Sequence, residues 1–409
     1  MIREIEKSLT AEFERVDGIR DFNQKKVLEA FINNRVAPEH FYTVSGYGHD
    51  DAGRDVLDRV FADVFRAEKA LVRVHFVSGT HTLACCLFGN LRSGDKLVSV
   101  AGAPYDTMQK VIGTSSLSLR ERVGVRGQSL IEQGIQYEEI PLKDGLNVDF
   151  DKLSEIKDAK MFLIQRSRGY SLRKSLSIAD IEQVCKIVKS NNPECICFVD
   201  NCYGEFTETR EPLEAGADLI AGSLIKNPGG GIVEAGGYVA GRADLVENTA
   251  IRLTAPGIGS EGGAMFNQHR LLFQGLFMAP SVVADAVKGA ILAAKTFENL
   301  GYISTPKHDE PRTDIIQTIT FNSQASLEHF CKTIQEMSPV NSHVTPIPDD
   351  VPGYDDKVIM AGGTFIEGST IELSADGPLR PPYAAYMQGG LNYAHVKIVL
   401  DKILLSLRK

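Results

Sequence analysis

From residue 69 onward, short apolar runs alternate with segments that are typical of helices. The apolar runs, which we interpret as buried strands, lie at residues 71–77, 97–101, 161–165, 196–199 and 218–221. Helices are predicted between several of them, near residues 80–91, 106–112 and 178–190. This alternation indicates an α/β fold with a largely parallel sheet and helices on both of its faces. Ligands of such sheets bind at the carboxyl ends of the strands.

Helical patterns flank this region on both sides. Residues 22–35 and a segment beginning near Asp51, a plausible cap, are predicted to be helices, and a long helical region follows at 262–300, with a potential break at Ala279-Pro280. The predicted elements after Pro306 are a strand (314–321), a helix (325–337), two strands (357–361 and 369–373) and a terminal helix (387–406). We therefore predict an N-terminal helical arm at 1–68, a large domain at 69–280 and a small C-terminal α+β domain at 281–409.

Charge and composition argue against several classes of partner. The net charge is −9 without a long basic run, so nucleic acid is not an expected partner. The charged first residues do not resemble a signal peptide, and no uninterrupted apolar stretch reaches the roughly 18 residues of a spanning helix. We expect a cytoplasmic protein that acts on small molecules and does not bind membranes.

The seven cysteines fit a reducing compartment, where thiols behave as small buried hydrophobes. Cys195 and Cys197 lack the two-residue spacing of a zinc knuckle, and no histidine follows nearby. We predict buried structural thiols and no metal site.

The segment from Ser223 to Lys226 carries the strongest chemical signal. It follows an apolar run, and the glycines 229–231 come after it. A lysine amine can form an imine with an aldehyde, a serine can hold a phosphate, and Asp200, which ends an earlier strand, can pair with a protonated pyridine nitrogen. Pyridoxal 5'-phosphate (PLP) needs these three functions, so the sequence predicts a PLP site.

Other strand ends supply further candidates. Ser78, Gly79 and Thr80 open a helix, where backbone amides could bind phosphate, although ordinary helix capping explains the same residues equally well. Tyr105 could stack on a flat ring or be a buried structural residue. Asp200 could instead form an Asx turn or a helix cap. The order of these residues on successive strand ends favours the cofactor interpretation.

Three motifs, Gly46–Asp51, Ile164–Tyr170 and Glu372–Arg380, resemble the methionine γ-lyase-like family, whose members include aluminium-resistance proteins assigned as cystathionine β-lyases. The resemblance spans nearly the whole chain. It implies the fold of the fold-type I PLP enzymes: a large domain with a mainly parallel, seven-stranded-type sheet sandwiched by helices, and a small C-terminal α+β domain.

The resemblance also implies site residues. Lys226 would be the Schiff-base lysine, Asp200 the partner of the pyridine nitrogen and Tyr105 the residue stacked on the ring. The residues that would bind the cofactor phosphate are Ser78, Gly79, Thr80 and Ser223.

Two further residues are carried over from the same resemblance. Tyr47 would reach the phosphate in a neighbouring subunit, which implies a homodimer or a homotetramer with shared active sites. Arg380 would clamp the substrate α-carboxylate, a bidentate task suited to guanidinium, whereas a surface ion pair is the alternative.

The chain departs from the better-known lyases at two places. Ile225 stands where they have a hydroxyl residue directly before the lysine, so phosphate binding must differ. The segment around Arg166 and Arg168 replaces a more neutral stretch, and an extra cation near the ring oxygen or the carboxylate could change substrate choice.

The predicted reaction is β- or γ-elimination on a sulfur-containing L-amino acid such as cystathionine or methionine. Lys226 would act as general base and Tyr105 as a proton donor. The alternatives are transamination, γ-replacement, or a PLP-holding regulatory protein with little catalysis.

Overall fold

Two β-sheets organise the chain in the computed structural model, which describes residues 2–114, 129–351 and 356–406. The larger sheet has seven strands in the order β1-β7-β6-β5-β4-β2-β3. These are β1 Lys69–Arg73, β2 Lys96–Ser99, β3 Gln136–Glu139, β4 Met161–Gln165, β5 Ile196–Asp200, β6 Leu219–Ser223 and β7 Gly237–Gly241. Only β7 runs antiparallel to its neighbours, so the predicted α/β fold with a mainly parallel sheet is confirmed.

Some strands of the large sheet have other bounds than predicted, and two strands were not predicted. The strand predicted at 71–77 ends at Arg73, and Val77 beyond it is 81% exposed. The sequence pattern missed β3, because this edge strand is largely exposed and carries polar residues. It also missed β7, which begins and ends on glycine.

The large sheet is buried on both faces, as a parallel sheet between helices must be. Along β4, Phe162 and Ile164 belong to one hydrophobic cluster, whereas Met161 and Leu163 belong to the other. The helices that precede, connect or follow its strands are α1 Ile2–Lys7, α2 Thr10–Asn33, α3 Ala52–Phe65, α4 Gly79–Asn90, α5 Asp106–Ile112, α6 Phe150–Glu155, α7 Ile178–Asn191 and α8 Ala243–Leu253. Asp51 caps α3 as predicted, since its side chain accepts a hydrogen bond from Arg54 N at 3.0 Å.

A single long helix, α9 His269–Asn299, follows the large sheet, and the break expected at Pro280 is absent. An interior proline costs a helix about 3 kcal/mol. Here Ala279 and Pro280 are buried, and the helix packs on α2, so tertiary burial offsets that cost. The helix is long and apolar enough to cross a membrane, but 72% of its most apolar window lies buried inside the protein. The predicted domain boundary at residue 280 falls inside α9, and the three domain ranges stay predictions.

The smaller sheet is antiparallel throughout, in the order β10-β11-β12-β9-β8. Its elements are β8 Ile303–Thr305, β9 Ile316–Thr320, α10 Gln324–Glu336, β10 Val358–Ala361, β11 Ser374–Pro378, β12 Ala384–Gln388 and α11 Tyr393–Ser406. The strand predicted at 369–373 is wrong, because the Glu372 carboxylate accepts hydrogen bonds from Phe365 N and Ile366 N and shapes that segment into a loop. The terminal helix begins at Tyr393, six residues later than predicted, because β12 continues to Gln388 and a turn with positive φ at Gly389 and Gly390 follows it.

Candidate active site

A cleft with a volume of about 660 Å³ is lined by the carboxyl ends of the large-sheet strands and by one face of the small sheet. The structure brings eight of the predicted site residues to its walls: Ser78, Gly79, Thr80, Tyr105, Asp200, Ser223, Lys226 and Arg380. Tyr47 is the exception, since it does not line the cleft of its own chain.

The start of α4 and the end of β6 form a tight cradle at the cleft floor. Ser78 caps α4, with its Oγ accepting a hydrogen bond from His81 N at 3.1 Å. A Cβ added to Gly79 would lie 3.3 Å from Ser223 Cβ and 3.7 Å from Cys202 Sγ. A side chain at this position would narrow the space, and the amides of the first turn of α4 favour an anion there. The cradle fits a phosphate group.

Tyr105 lies beside this cradle, at the N-terminus of α5. Its hydroxyl is 3.0 Å from Thr80 Oγ1, which is 3.1 Å from Thr107 Oγ1, and its backbone N donates to Gln165 Oε1 at 2.9 Å. Burial, and secondarily the Asp200 carboxylate, raises the pKa of Tyr105 well above its ordinary value. The ring is therefore held in place with its hydroxyl protonated.

Asp200 ends β5 with its side chain buried. Its Oδ1 accepts a hydrogen bond from Cys202 N at 3.1 Å, so the Asx-type contact considered from the sequence is present. Burial raises the pKa of Asp200, while the bonds from Cys202 and the charge of Lys226 oppose that rise. A buried carboxylate with a raised pKa favours a cation or a hydrogen-bond donor as its partner in the cleft.

Lys226 extends into the cleft from the turn after β6. Its Nζ donates to Tyr203 Oη and to the Ser369 carbonyl, both at 2.6 Å. Burial lowers the pKa of this amine, but Tyr203, Cys202 and Asp200 outweigh burial and raise it above the ordinary lysine value. These acidic neighbours therefore favour the charged form of the amine.

Several residues of the cleft were not identified from the sequence. Tyr203 follows Asp200 by three residues, and this position near a strand end was the available signal. Asp376 on β11 accepts a hydrogen bond from Tyr170 Oη at 2.6 Å. No local pattern signals this pair, because its members are far apart in the sequence.

The two arginines of the Ile164–Tyr170 motif have different positions. Arg166 is fully buried outside the cleft, where it binds Asn201 Oδ1 at 2.8 Å and forms an ion pair with Glu208 at 2.8 Å. The suggestion that it brings a cation near the ring is therefore wrong. Arg168 does line the cleft, and its guanidinium donates to the Thr305 carbonyl at 3.2 Å.

Arg380 and Tyr47 lie at more exposed positions. Arg380 lines the cleft with its side chain 55% exposed and forms an ion pair with Asp356 at 2.8 Å. Tyr47 is 83% exposed, and its carbonyl accepts a hydrogen bond from Gly263 N at 2.9 Å.

The cysteines are buried and form neither disulfides nor a metal site among the described residues. All seven are free thiols and buried, as expected for structural cysteines. Within the described part of the chain, no cluster of three or more His, Cys, Asp or Glu side chains could hold a metal ion.

Comparison with known proteins identifies related chains. The family model for methionine gamma-lyase matches residues 1–408. A carbon-sulfur lyase involved in aluminium resistance from Clostridium novyi NT is 48% identical, with a TM-score of 0.93 over 99% of this chain and 94% of that chain. A candidate cystathionine beta-lyase involved in aluminium resistance from Listeria monocytogenes is 46% identical, with a TM-score of 0.94 over 99% of this chain and 98% of that chain. The Bacillus subtilis protein YnbB, described as uncharacterized, is 46% identical over 397 residues, which are 96% of this chain and 92% of that protein.

A more distant likeness bears on the fold alone. The PLP-dependent protein YhfS of Escherichia coli is 17% identical, with a TM-score of 0.61 over 96% of this chain and 97% of that chain. The architecture is therefore that of the fold-type I PLP enzymes.

Proposed function

The chain belongs to the methionine gamma-lyase family, and on that premise we propose that it is a PLP-dependent carbon–sulfur lyase. Its reaction is β- or γ-elimination on a sulfur-containing L-amino acid such as cystathionine or methionine. The observation that carries the proposal is the convergence of Lys226, Asp200 and the Gly79 cradle on one cleft.

The residues around the cleft match the parts of the cofactor. Gly79 and Ser223 form the space for the phosphate, with Ser78 and Thr80 at the same helix start. Asp200 would hold the pyridine nitrogen, and Tyr105 would lie against the ring. Lys226 would supply the amine for the aldehyde. Bound PLP supplies the electron sink that stabilises negative charge at the substrate Cα.

The chain itself supplies proton transfer and orientation. Lys226 Nζ removes the proton from the substrate Cα as general base. Tyr203 Oη, 2.6 Å from that nitrogen, orients the amine. Tyr105 keeps its proton because burial raises its pKa, and it donates that proton when the leaving group departs from Cγ.

Arg380 is the proposed clamp for the substrate α-carboxylate. It lines the cleft and is half exposed, so a substrate can displace its ion-pair partner, Asp356. The exchange of one carboxylate for another preserves the charge-assisted hydrogen bonds of the guanidinium. Arg168 lies in the same cleft, but its buried side chain is held by protein acceptors.

We also propose that two chains share their active sites. Tyr47 is highly exposed and lies outside the cleft of its own chain, which leaves its ring available to a second copy. A homodimer or homotetramer in which Tyr47 reaches the neighbouring phosphate site follows from this position.

Replacement of the lysine tests the function. Lys226→Ala is expected to lower kcat by about 10²-fold or more, because the general base is lost. The visible absorption of PLP-loaded wild type should shift on addition of L-cystathionine or L-methionine, and the variant should lack the wild-type band. Lys174→Ala, at an exposed lysine, is the matched control and should retain activity and colour.

Product analysis separates the possible reactions. Release of a thiol together with a keto acid and ammonia supports elimination, whereas a keto acid without thiol indicates transamination. A wild-type protein that stays colourless when PLP is supplied would overturn the proposal, as would appreciable lyase activity in folded Lys226→Ala.

A further inference from the structure

One buried carboxylate, that of Asp376 on β11, faces the cleft and has no part in the steps above. Side chains alternate between the two faces of a strand. A Cβ added to the next residue, Gly377, would lie 2.6 Å from Leu327 of α10, so that position faces the helix. Asp376 therefore points to the opposite face, and it lines the cleft.

Only one of the two carboxylate oxygens of Asp376 accepts a hydrogen bond from a described residue. The residue is 5% exposed, and its Oδ2 accepts the hydrogen bond from Tyr170 Oη at 2.6 Å. Among the described residues, its Oδ1 accepts no hydrogen bond, and no basic side chain forms an ion pair with it within 4.0 Å. Burial raises its pKa to about 6, so the group is mostly ionised at neutral pH. A buried carboxylate is costly unless a cation or several donors accompany it.

Two tyrosines, Tyr170 and Tyr386, lie beside this carboxylate. Tyr386 on β12 is the residue directly opposite Asp376 in the strand pair, and its ring centroid lies 5.3 Å from that of Tyr170. Tyr170 and Tyr203 pack against the small cluster that contains Tyr386 and Ile316. A carboxylate beside aromatic side chains can recognise an ammonium group, since nearby rings add cation–π attraction to the ionic contact.

The ammonium that fits this position is not the reacting one. The reacting nitrogen must meet Lys226, whose Nζ is bonded to Tyr203 and Ser369. The charge of Lys226 lowers the pKa of Asp376, but the two side chains are too far apart to form an ion pair, which leaves room for a second cation beside Asp376. We propose that Asp376, with Tyr170 and Tyr386, binds a second ammonium group at the far end of the substrate. The proposal rests on the proposed function and names its substrate class: thioethers with two amino groups, such as cystathionine, rather than methionine, which has one.

A pair of substrates isolates this contact. L-Cystathionine and S-(3-carboxypropyl)-L-cysteine present the same reacting cysteine half and the same terminal carboxylate, but only the first has a distal ammonium. Wild type is expected to process cystathionine with a kcat/KM about 10-fold to 100-fold higher. Asp376→Asn should lose that factor for cystathionine and keep the value for the analogue within about 2-fold.

Binding can be measured apart from turnover. In a PLP-loaded Lys226→Ala background, calorimetry should show that Asp376→Asn weakens cystathionine binding about 10-fold or more and leaves binding of the analogue unchanged. Glu367→Gln is the matched control, because Glu367 also lines the cleft but is exposed. It should leave the preference for cystathionine intact.

The outcomes separate the two proposals. Equal wild-type rates on both compounds would overturn the role of Asp376 and leave the lyase assignment standing. Equal losses for both compounds in Asp376→Asn would also overturn it and would indicate a role in proton transfer or in folding. A PLP-loaded wild type that converts neither compound nor methionine would overturn the lyase assignment and this inference together.

Discussion

At the scale of single residues, Glu205 shows how burial sets a charge state behind the active site. It is fully buried, and its Oε1 accepts a hydrogen bond from Tyr238 Oη at 2.8 Å. Its Oε2 has no hydrogen-bond partner in the described part of the chain. Burial raises its pKa to about 8, opposed by the bond from Tyr238 and by Arg166 and reinforced by Glu211. Glu205 therefore carries a proton at neutral pH.

This raised pKa predicts a pH dependence of stability. Between about pH 4.5 and pH 8 the folded chain holds a proton on Glu205 that the unfolded chain has lost. The free energy of unfolding therefore falls as pH rises through this window, by up to about 1.4 kcal/mol per pH unit from this group. Glu205→Gln removes the dependence, so its stability relative to wild type should increase from pH 5 to pH 8.5.

Urea unfolding at pH 5, 7 and 8.5 measures this trend. A stability difference between Glu205→Gln and wild type that does not change with pH would show that Glu205 is ionised in the folded chain.

At the scale of elements, α9 supports the lysine turn through direct backbone contact. A Cβ added to Gly275 would lie 2.4 Å from the carbonyl oxygen of Gly229 and 2.8 Å from Val233 Cγ2. Gly229 ends the short 3₁₀ turn Asn227–Gly229 that follows Lys226. The helix and the turn that carries the reactive amine therefore share one packing surface.

Gly275→Ala is expected to force these elements apart. Overpacking of this kind costs about 1–3 kcal/mol, and displacement of the turn should also weaken PLP retention. Gly18→Ala is the matched control, because Gly18 lies in α2 with no other atom within 4 Å of an added Cβ. That change should raise stability by up to about 1 kcal/mol, as alanine is the better helix former.

Thermal unfolding and bound PLP content check both variants. Equal behaviour of Gly275→Ala and Gly18→Ala would contradict the packing argument.

At the scale of the whole molecule, the position of Tyr47 predicts complementation between subunits. Lys226→Ala inactivates the site of its own chain but still offers Tyr47 to a partner. Tyr47→Ala retains Lys226 but impairs the site of its partner. Random pairing of the two variants would give half of the dimers one intact site, so refolded mixtures should recover about a quarter of wild-type activity.

Activity assays on mixtures at several ratios, with light scattering to give the number of chains, measure this recovery. If the mixture stays as inactive as its components although dimers form, Tyr47 does not act across the interface.

Much of the large sheet and its site could be predicted from the sequence. Apolar runs such as that of β5 are buried on both faces, so the hydrophobic pattern alone identifies them. Asp200 ends one such strand and Lys226 follows another, and parallel strands place their carboxyl ends along one edge. The chemistry of these residue types then indicates the cofactor.

Other elements of the fold depend on tertiary packing and could not be predicted from the local sequence pattern. The continuity of α9 through Pro280 depends on burial against distant elements, whereas a local signal predicts a break. The polar edge strand β3 is recognisable only from its pairing with β2.

The sequence by itself determined the α/β class, the order of the site residues and the family, because these follow from local periodicity and from residue chemistry. Only the tertiary structure decided that Arg166 lies outside the cleft, that Tyr203 holds Lys226 and that Asp376 meets Tyr170. Tyr170 and Asp376 are 206 residues apart and belong to different elements, so their contact depends on how the small sheet packs against the large one. A contact at that separation is a property of the folded chain and is not encoded in the local pattern around either residue.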